Sequence, residues 1–172
     1  MPSADWIPTE YLRAIGEVNV RWNDLDGLIN VFLICLLGKS IYEERSHIVF
    51  AHMAFPQKLD VLGALVEEVI NRRGYSKLKK YKATVLPLLK NAQKGRNLVI
   101  HSDWTMRGGE VVRTSVSARG SFKFSSTIAT LEEIEAVIQL IEKARSEMFA
   151  LVKPDWAKAT SRLKRSRKEG KT

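Results

Sequence analysis

The chain begins with a long apolar stripe. From Pro8 to Gly38, the residues Ile15, Val18, Trp22, Leu25, Ile29, Phe32 and Leu36 recur in alternating steps of three and four. That spacing draws one apolar face along a helix of about eight turns. Pro8 suits the first helical turn and Gly38 the stop. A second helix is expected over Ile41 to Met53. Pro56 opens a third, in which Leu59, Leu62, Val66 and Val69 form the stripe until Gly74. The fourth starts near Ser76 and carries Leu78, Tyr81, Val85, Leu88, Ala92 and Val99 on one face, with Pro87 as a kink point.

After Trp104 the period changes. TMRGGEVVRTSVSARGSFKFSS sets glycines between short β-prone runs, which predicts a hairpin or three-stranded meander at about 104–127. Thr130 and Glu133 then have capping-box spacing. They precede a last amphipathic helix with Leu131, Ile134, Ile138, Ile141, Met148 and Val152 inward. The expected fold is mainly α: an antiparallel bundle of about five helices with a small β insertion before the last. Residues 1–153 read as one domain and 154–172 as a basic, flexible tail.

Composition narrows the function classes. One cysteine, Cys35, rules out a disulfide within the chain and a cysteine-cluster zinc site; inside LINVFLICLLG it reads as a small buried apolar residue. The N-terminus has no secretory pattern, and the run Leu28 to Leu37 is too short to span a bilayer. Both features point to the cytoplasm and away from a membrane. The net charge of +9 is unevenly placed. Eight basic residues face two acidic ones in 153–172. Between Glu68 and Asp103 there is no acid, while Arg72, Arg73, Lys77, Lys79, Lys80, Lys82, Lys90, Lys94 and Arg96 all fall there. Such a surface attracts polyanions. Glu43, His47 and His52 lack a converging further ligand, so no metal is expected, and no phosphate-binding glycine loop points to a cofactor.

The candidate chemistry lies in KGRNLVIHSDW, residues 94–104. On an ideal wheel His101 lies about 160° from the centre of the core stripe, with Asn97 close by. Arg96 lies about 140° from His101 around the axis, so one helix alone is not expected to bring the two together. A second copy of the same helix supplies the missing half, which predicts a homodimer sealed by Leu98 or Ile100.

Arg96-Asn97-Leu98-Val99-Ile100-His101, near the end of a long helix, resembles the signature of the HEPN superfamily. Arg45 and His52 match its looser spacing, but Ser46 stands where the asparagine should be. The resemblance covers residues 9–103; the β meander and the basic tail depart from it. It implies a metal-independent endoribonuclease, of the kind used in toxin-antitoxin, phage-defence and stress-response systems, with RNA as substrate and an antitoxin or regulatory protein as partner. Arg96, Asn97 and His101 would be catalytic. Lys90, Lys94, Arg72, Arg73, Lys77, Lys79 and Lys80 would bind RNA. The alternative is a non-catalytic RNA-binding or protein-interaction module of the same type.

Overall fold

A computed structural model describes the backbone of residues 6–39, 42, 44–73, 76–117 and 122–169, with side chains except at 72, 73, 76, 77, 117 and 152–169. The fold is mainly α, with a three-stranded antiparallel sheet before the last helix. Among the described residues no helix is long and apolar enough to cross a membrane. The chain groups into two compact units. Unit 1 comprises Met1–Asn23 and Leu89–Glu142, and unit 2 comprises Asp24–Leu88 and Lys143–Thr172.

Helix α1, Thr9–Leu36, follows the predicted stripe. Ala14, Val18 and Trp22 are buried in unit 1, and Leu25, Ile29, Phe32, Leu33 and Ile34 in unit 2. Gly38, at φ 71°, lets the chain reverse: Lys39 N–H reaches Ile34 O and Gly38 N–H reaches Cys35 O, a Schellman ending. Cys35 is half-buried rather than buried, because it stands on the flank of the stripe.

Helix α2, Glu44–Ala51, is shorter than expected; Ile41 and Glu43 lie outside the described residues. Helix α3 is Phe55–Arg73. Gln57 Oε1 accepts from Ala54 N–H at 2.9 Å, which closes its first turn, and Pro56 costs nothing where no intrahelical donor is needed. Leu59, Leu62 and Val66 are buried as the pattern requires. Lys58 is buried too, with Nζ 2.6 Å and 2.9 Å from the two carboxylate oxygens of Asp26.

The fourth predicted helix runs from Ser76 to Ile100 in three pieces: α4 (Ser76–Lys80), a π-helical turn (Tyr81–Val85) and α5 (Leu86–Ile100). Pro87 explains the middle piece. It has no N–H for Ala83 O, and its ring crowds that carbonyl. The wider turn relieves this crowding, with Leu86 N–H bonding Tyr81 O five residues back. Leu89 is buried where Leu88 was expected, and Ala92 and Val99 are buried as the stripe requires. Tyr81 is wholly buried and its hydroxyl has no hydrogen-bond partner among the described residues; burial, then the charge of Asp60, pushes the phenol up from its ordinary value.

In unit 1, β1 (Asp103–Arg107) and β2 (Glu110–Ser117) join through Gly108-Gly109, both at positive φ, in a two-residue turn within the meander the sequence predicts. Strand β3 (Lys123–Ile128) pairs with β2, placing Val116 opposite Phe124. Every β3 side chain is exposed, and so is Phe122. As an edge strand of the sheet, β3 carries these side chains into solvent.

Helix α6 spans Leu131–Glu169. Thr130 Oγ1 accepts from Glu133 N–H, the forward half of the expected capping box. The Glu133 carboxylate instead meets Arg113 at 3.4 Å. Among its described side chains, Ile134 and Ile141 in unit 1 and Ala144 and Met148 in unit 2 are buried, Leu131 and Ile138 are half-buried, and Val152 lies outside the described ones. The backbone stays helical past Pro154 to Glu169, where a tail beyond the last helix was expected. Pro154 removes one hydrogen bond, but AKATSRLKRSRKE is rich in strong helix formers that carry the helix on.

Candidate functional site

The site belongs to unit 1 and begins with a glycine. A Cβ on Gly95 would lie 3.1 Å and 3.2 Å from the Val137 methyl carbons, so the missing side chain lets α5 seat against α6 next to Arg96. A glycine inside a helix costs about 1 kcal/mol against alanine, and this close approach is what it provides in return.

Arg96 is half-buried. Its guanidinium carbon lies 5.8 Å from the centroid of the buried Trp22 ring, within cation–π range. Arg96 Nε is buried with no hydrogen-bond partner among the described residues, and burial holds the guanidinium below its ordinary value. Nη1 points elsewhere: it donates to Asn97 Oδ1 at 3.1 Å and lies 2.9 Å from His101 Nε2.

This last distance corrects the expectation that Arg96 and His101 cannot meet within one chain. The wheel argument treats side chains as spokes of equal length on an unbroken helix. Arginine is long, and α5 ends at Ile100, so His101 stands in the following turn. The two groups close the remaining arc between them. Arginine offers only donors, so Nε2 is the acceptor and the imidazole proton is on Nδ1.

The helix end is built to hold this arrangement. His101 N–H still bonds Asn97 O at 3.1 Å. Ser102 Oγ donates to Leu98 O at 2.7 Å and Trp104 Nε1 to Val99 O at 2.9 Å, which satisfies carbonyls that a helix terminus leaves open. Asn97 and His101 are exposed, as the wheel predicts, and Leu98 is exposed beside them.

The proposed RNA-binding residues divide. Lys90 and Lys94 are exposed on α5 in the same unit as the Arg-Asn-His cluster. Lys79 and Lys80 are exposed in unit 2, where Lys80 pairs with Glu147 at 2.7 Å. The side chains of Arg72, Arg73 and Lys77 lie outside the described residues. Among the described residues, no three His, Cys, Asp or Glu side chains are grouped to hold a metal ion.

Four contributors escape the sequence reading. An isolated glycine in a helical pattern flags Gly95. Nothing local links Trp22 to Arg96, since they are far apart in the chain. The Ser102 and Trp104 caps have a faint signal, polar donors just past a helix end. No protein-family model, curated protein or solved structure matches the chain.

Proposed function

We propose that the chain is a metal-independent endoribonuclease of the HEPN type, acting in the cytoplasm as a toxin or a phage-defence or stress-response protein. One observation carries the reading: at the exposed end of α5 a guanidinium donor lies 2.9 Å from an imidazole nitrogen, with a carboxamide on the same donor. RNA contains its own nucleophile, the ribose 2′-hydroxyl. The protein has to move protons and stabilise the charge that grows on the phosphorane. An imidazole transfers protons near neutral pH, and a planar guanidinium suits phosphate oxygens. His101 takes the proton-transfer role, Arg96 the charge-stabilising role, and Asn97 orients Arg96. Lys90 and Lys94 draw in the backbone.

The products are then a 2′,3′-cyclic phosphate and a 5′-hydroxyl, formed equally well in EDTA. Gel analysis of end chemistry checks this. Cleavage that requires an added divalent ion, or that also cuts a 2′-deoxy substrate, removes the mechanism.

The reading includes a homodimer through α5, with Leu98 and Ile100 at the contact and an RNA groove shared by two clusters. Light scattering is expected to give twice the chain mass at micromolar concentration. A single-chain mass there removes the dimer but leaves the site, because Arg96 and His101 already meet within one chain.

The same contact supports a second reading. Nε2 is occupied by Arg96, as a merely structural pair would be. On that reading the chain is a non-catalytic RNA-binding or protein-interaction module. Salt-sensitive RNA binding without cleavage selects it.

A further inference from the structure

We propose that the Arg96–His101 pair is a closed receptor for a phosphate oxyanion, in which the guanidinium is the fixed half, the imidazole is the moving half, and Trp22 is the positioning residue that holds the fixed half. The proposal rests on the reading of this site as one that takes phosphate, but not on cleavage.

The two halves are held very differently. Arg96 lies over the face of Trp22, which is only 7% exposed, and Nη1 is tied to Asn97 Oδ1. Its backbone follows Gly95, which seats on Val137. His101 is exposed and stands one residue past the end of α5. Its ring is held by the Arg96 bond, and the nearest acid along the chain is Asp103, exposed at the start of β1. A pull on the pair therefore moves the imidazole.

In the closed state the pair cannot clamp an anion. Nε2 carries a lone pair, and the Nη1 hydrogen aimed at it is used. An oxyanion bound by both groups needs two donors, each about 2.8 Å away, which places the nitrogens roughly 4.5 Å apart. The opening is therefore about 1.5 Å, within the reach of one side-chain rotation of an exposed histidine. The sequence of events follows from the donors. Phosphate takes the guanidinium edge first, because arginine's planar fork matches its oxygens. His101 loses its donor, Nε2 accepts a proton from solvent, and the new N–H donates to the same oxyanion. In the free protein, then, His101 Nε2 stands 2.9 Å from Arg96 Nη1, where the phosphate oxygen will be.

The test is nitrogen NMR of the full chain labelled at its three histidines, with His101 assigned from a His101→Gln spectrum. The probes are inorganic phosphate and a 2′-deoxyoligonucleotide that lacks the nucleophile. Free protein is expected to show His101 Nε2 as a hydrogen-bond acceptor, and saturating phosphate to convert it to N–H. Trp22→Phe keeps an aromatic face and retains both signals. Trp22→Leu loses the resting signal and binds phosphate roughly 2- to 30-fold more weakly, the range for one cation–π contact. Should Trp22→Leu not fold, Arg96→Lys decides the second half: it keeps the charge but not the planar edge, and is expected to lose the resting signal. An Nε2 that phosphate leaves unprotonated overturns the receptor. Unchanged signals in Trp22→Leu, or their loss in Trp22→Phe, overturn the positioning role, and an unchanged resting signal in Arg96→Lys overturns the guanidinium as the fixed half. A phosphate response without RNA cleavage keeps the receptor and removes the nuclease; cleavage with a silent Nε2 does the reverse.

Discussion

Replacing His101 with alanine is expected to lower RNA cleavage by about 10²- to 10⁴-fold, the usual worth of a positioned proton-transfer group. Folding should barely change. The side chain is exposed and lies beyond the helix, so the stability cost is within about 0.5 kcal/mol. For a chain of this size that shifts the melting temperature by roughly 1–2 °C. Arg96→Ala separates from it. Cleavage should fall by about 10²- to 10³-fold through lost charge stabilisation. Stability should fall as well, by about 1 kcal/mol, because the guanidinium no longer covers the Trp22 ring. The two variants are therefore compared by initial cleavage rate beside thermal melting. Full activity in His101→Ala ends the proton-transfer assignment. Activity lost only in step with folding reduces both residues to packing and capping.

The long-period features of this fold are written in the sequence, and the side-chain meetings are not. Helix α1 needed only its stripe and two terminal residues, because burial repeats every three to four positions and Gly38 supplies the one positive φ the ending requires. The hairpin was equally local: two adjacent glycines between β-prone runs permit little else. The π-helical turn shows a half-legible case. Pro87 announces a disturbance, but whether the chain bends or widens depends on packing around Tyr81 and Val85, both fully buried. At the site, the wheel placed Asn97 and His101 in solvent and erred on Arg96. A wheel records where each Cα–Cβ bond leaves the axis, and says nothing of how far a long side chain travels, nor of a helix that stops one residue before the histidine. Trp22 lay beyond any local rule, since its meeting with Arg96 is made only by folding.

Lys58 is the other residue no periodicity could have placed, and it gives the largest expected stability effect. Beside Leu59 on α3 it reads as an ordinary surface lysine, yet its side chain is only 4% exposed while that of Asp26 is 29% exposed. Both carboxylate oxygens lie within hydrogen-bond range of Nζ. This asymmetry predicts which deletion does more harm. Asp26→Ala leaves an ammonium in the interior with its partner gone, and breaking a buried pair in this way costs about 3–5 kcal/mol. Lys58→Met keeps a stem of similar length and leaves Asp26 with a wet side on which to hydrate, so about 1–2 kcal/mol is expected, near the average for a point substitution. Replacing both, Asp26→Leu with Lys58→Met, should recover much of the loss, because two apolar groups of similar volume need no compensation. Urea titrations of the three variants measure the order directly. Equal losses for the two single substitutions would mean that water reaches Lys58 as freely as Asp26. A double variant weaker than Asp26→Ala would mean that the ion pair itself, rather than the cost of orphaning one charge, stabilises this part of unit 2.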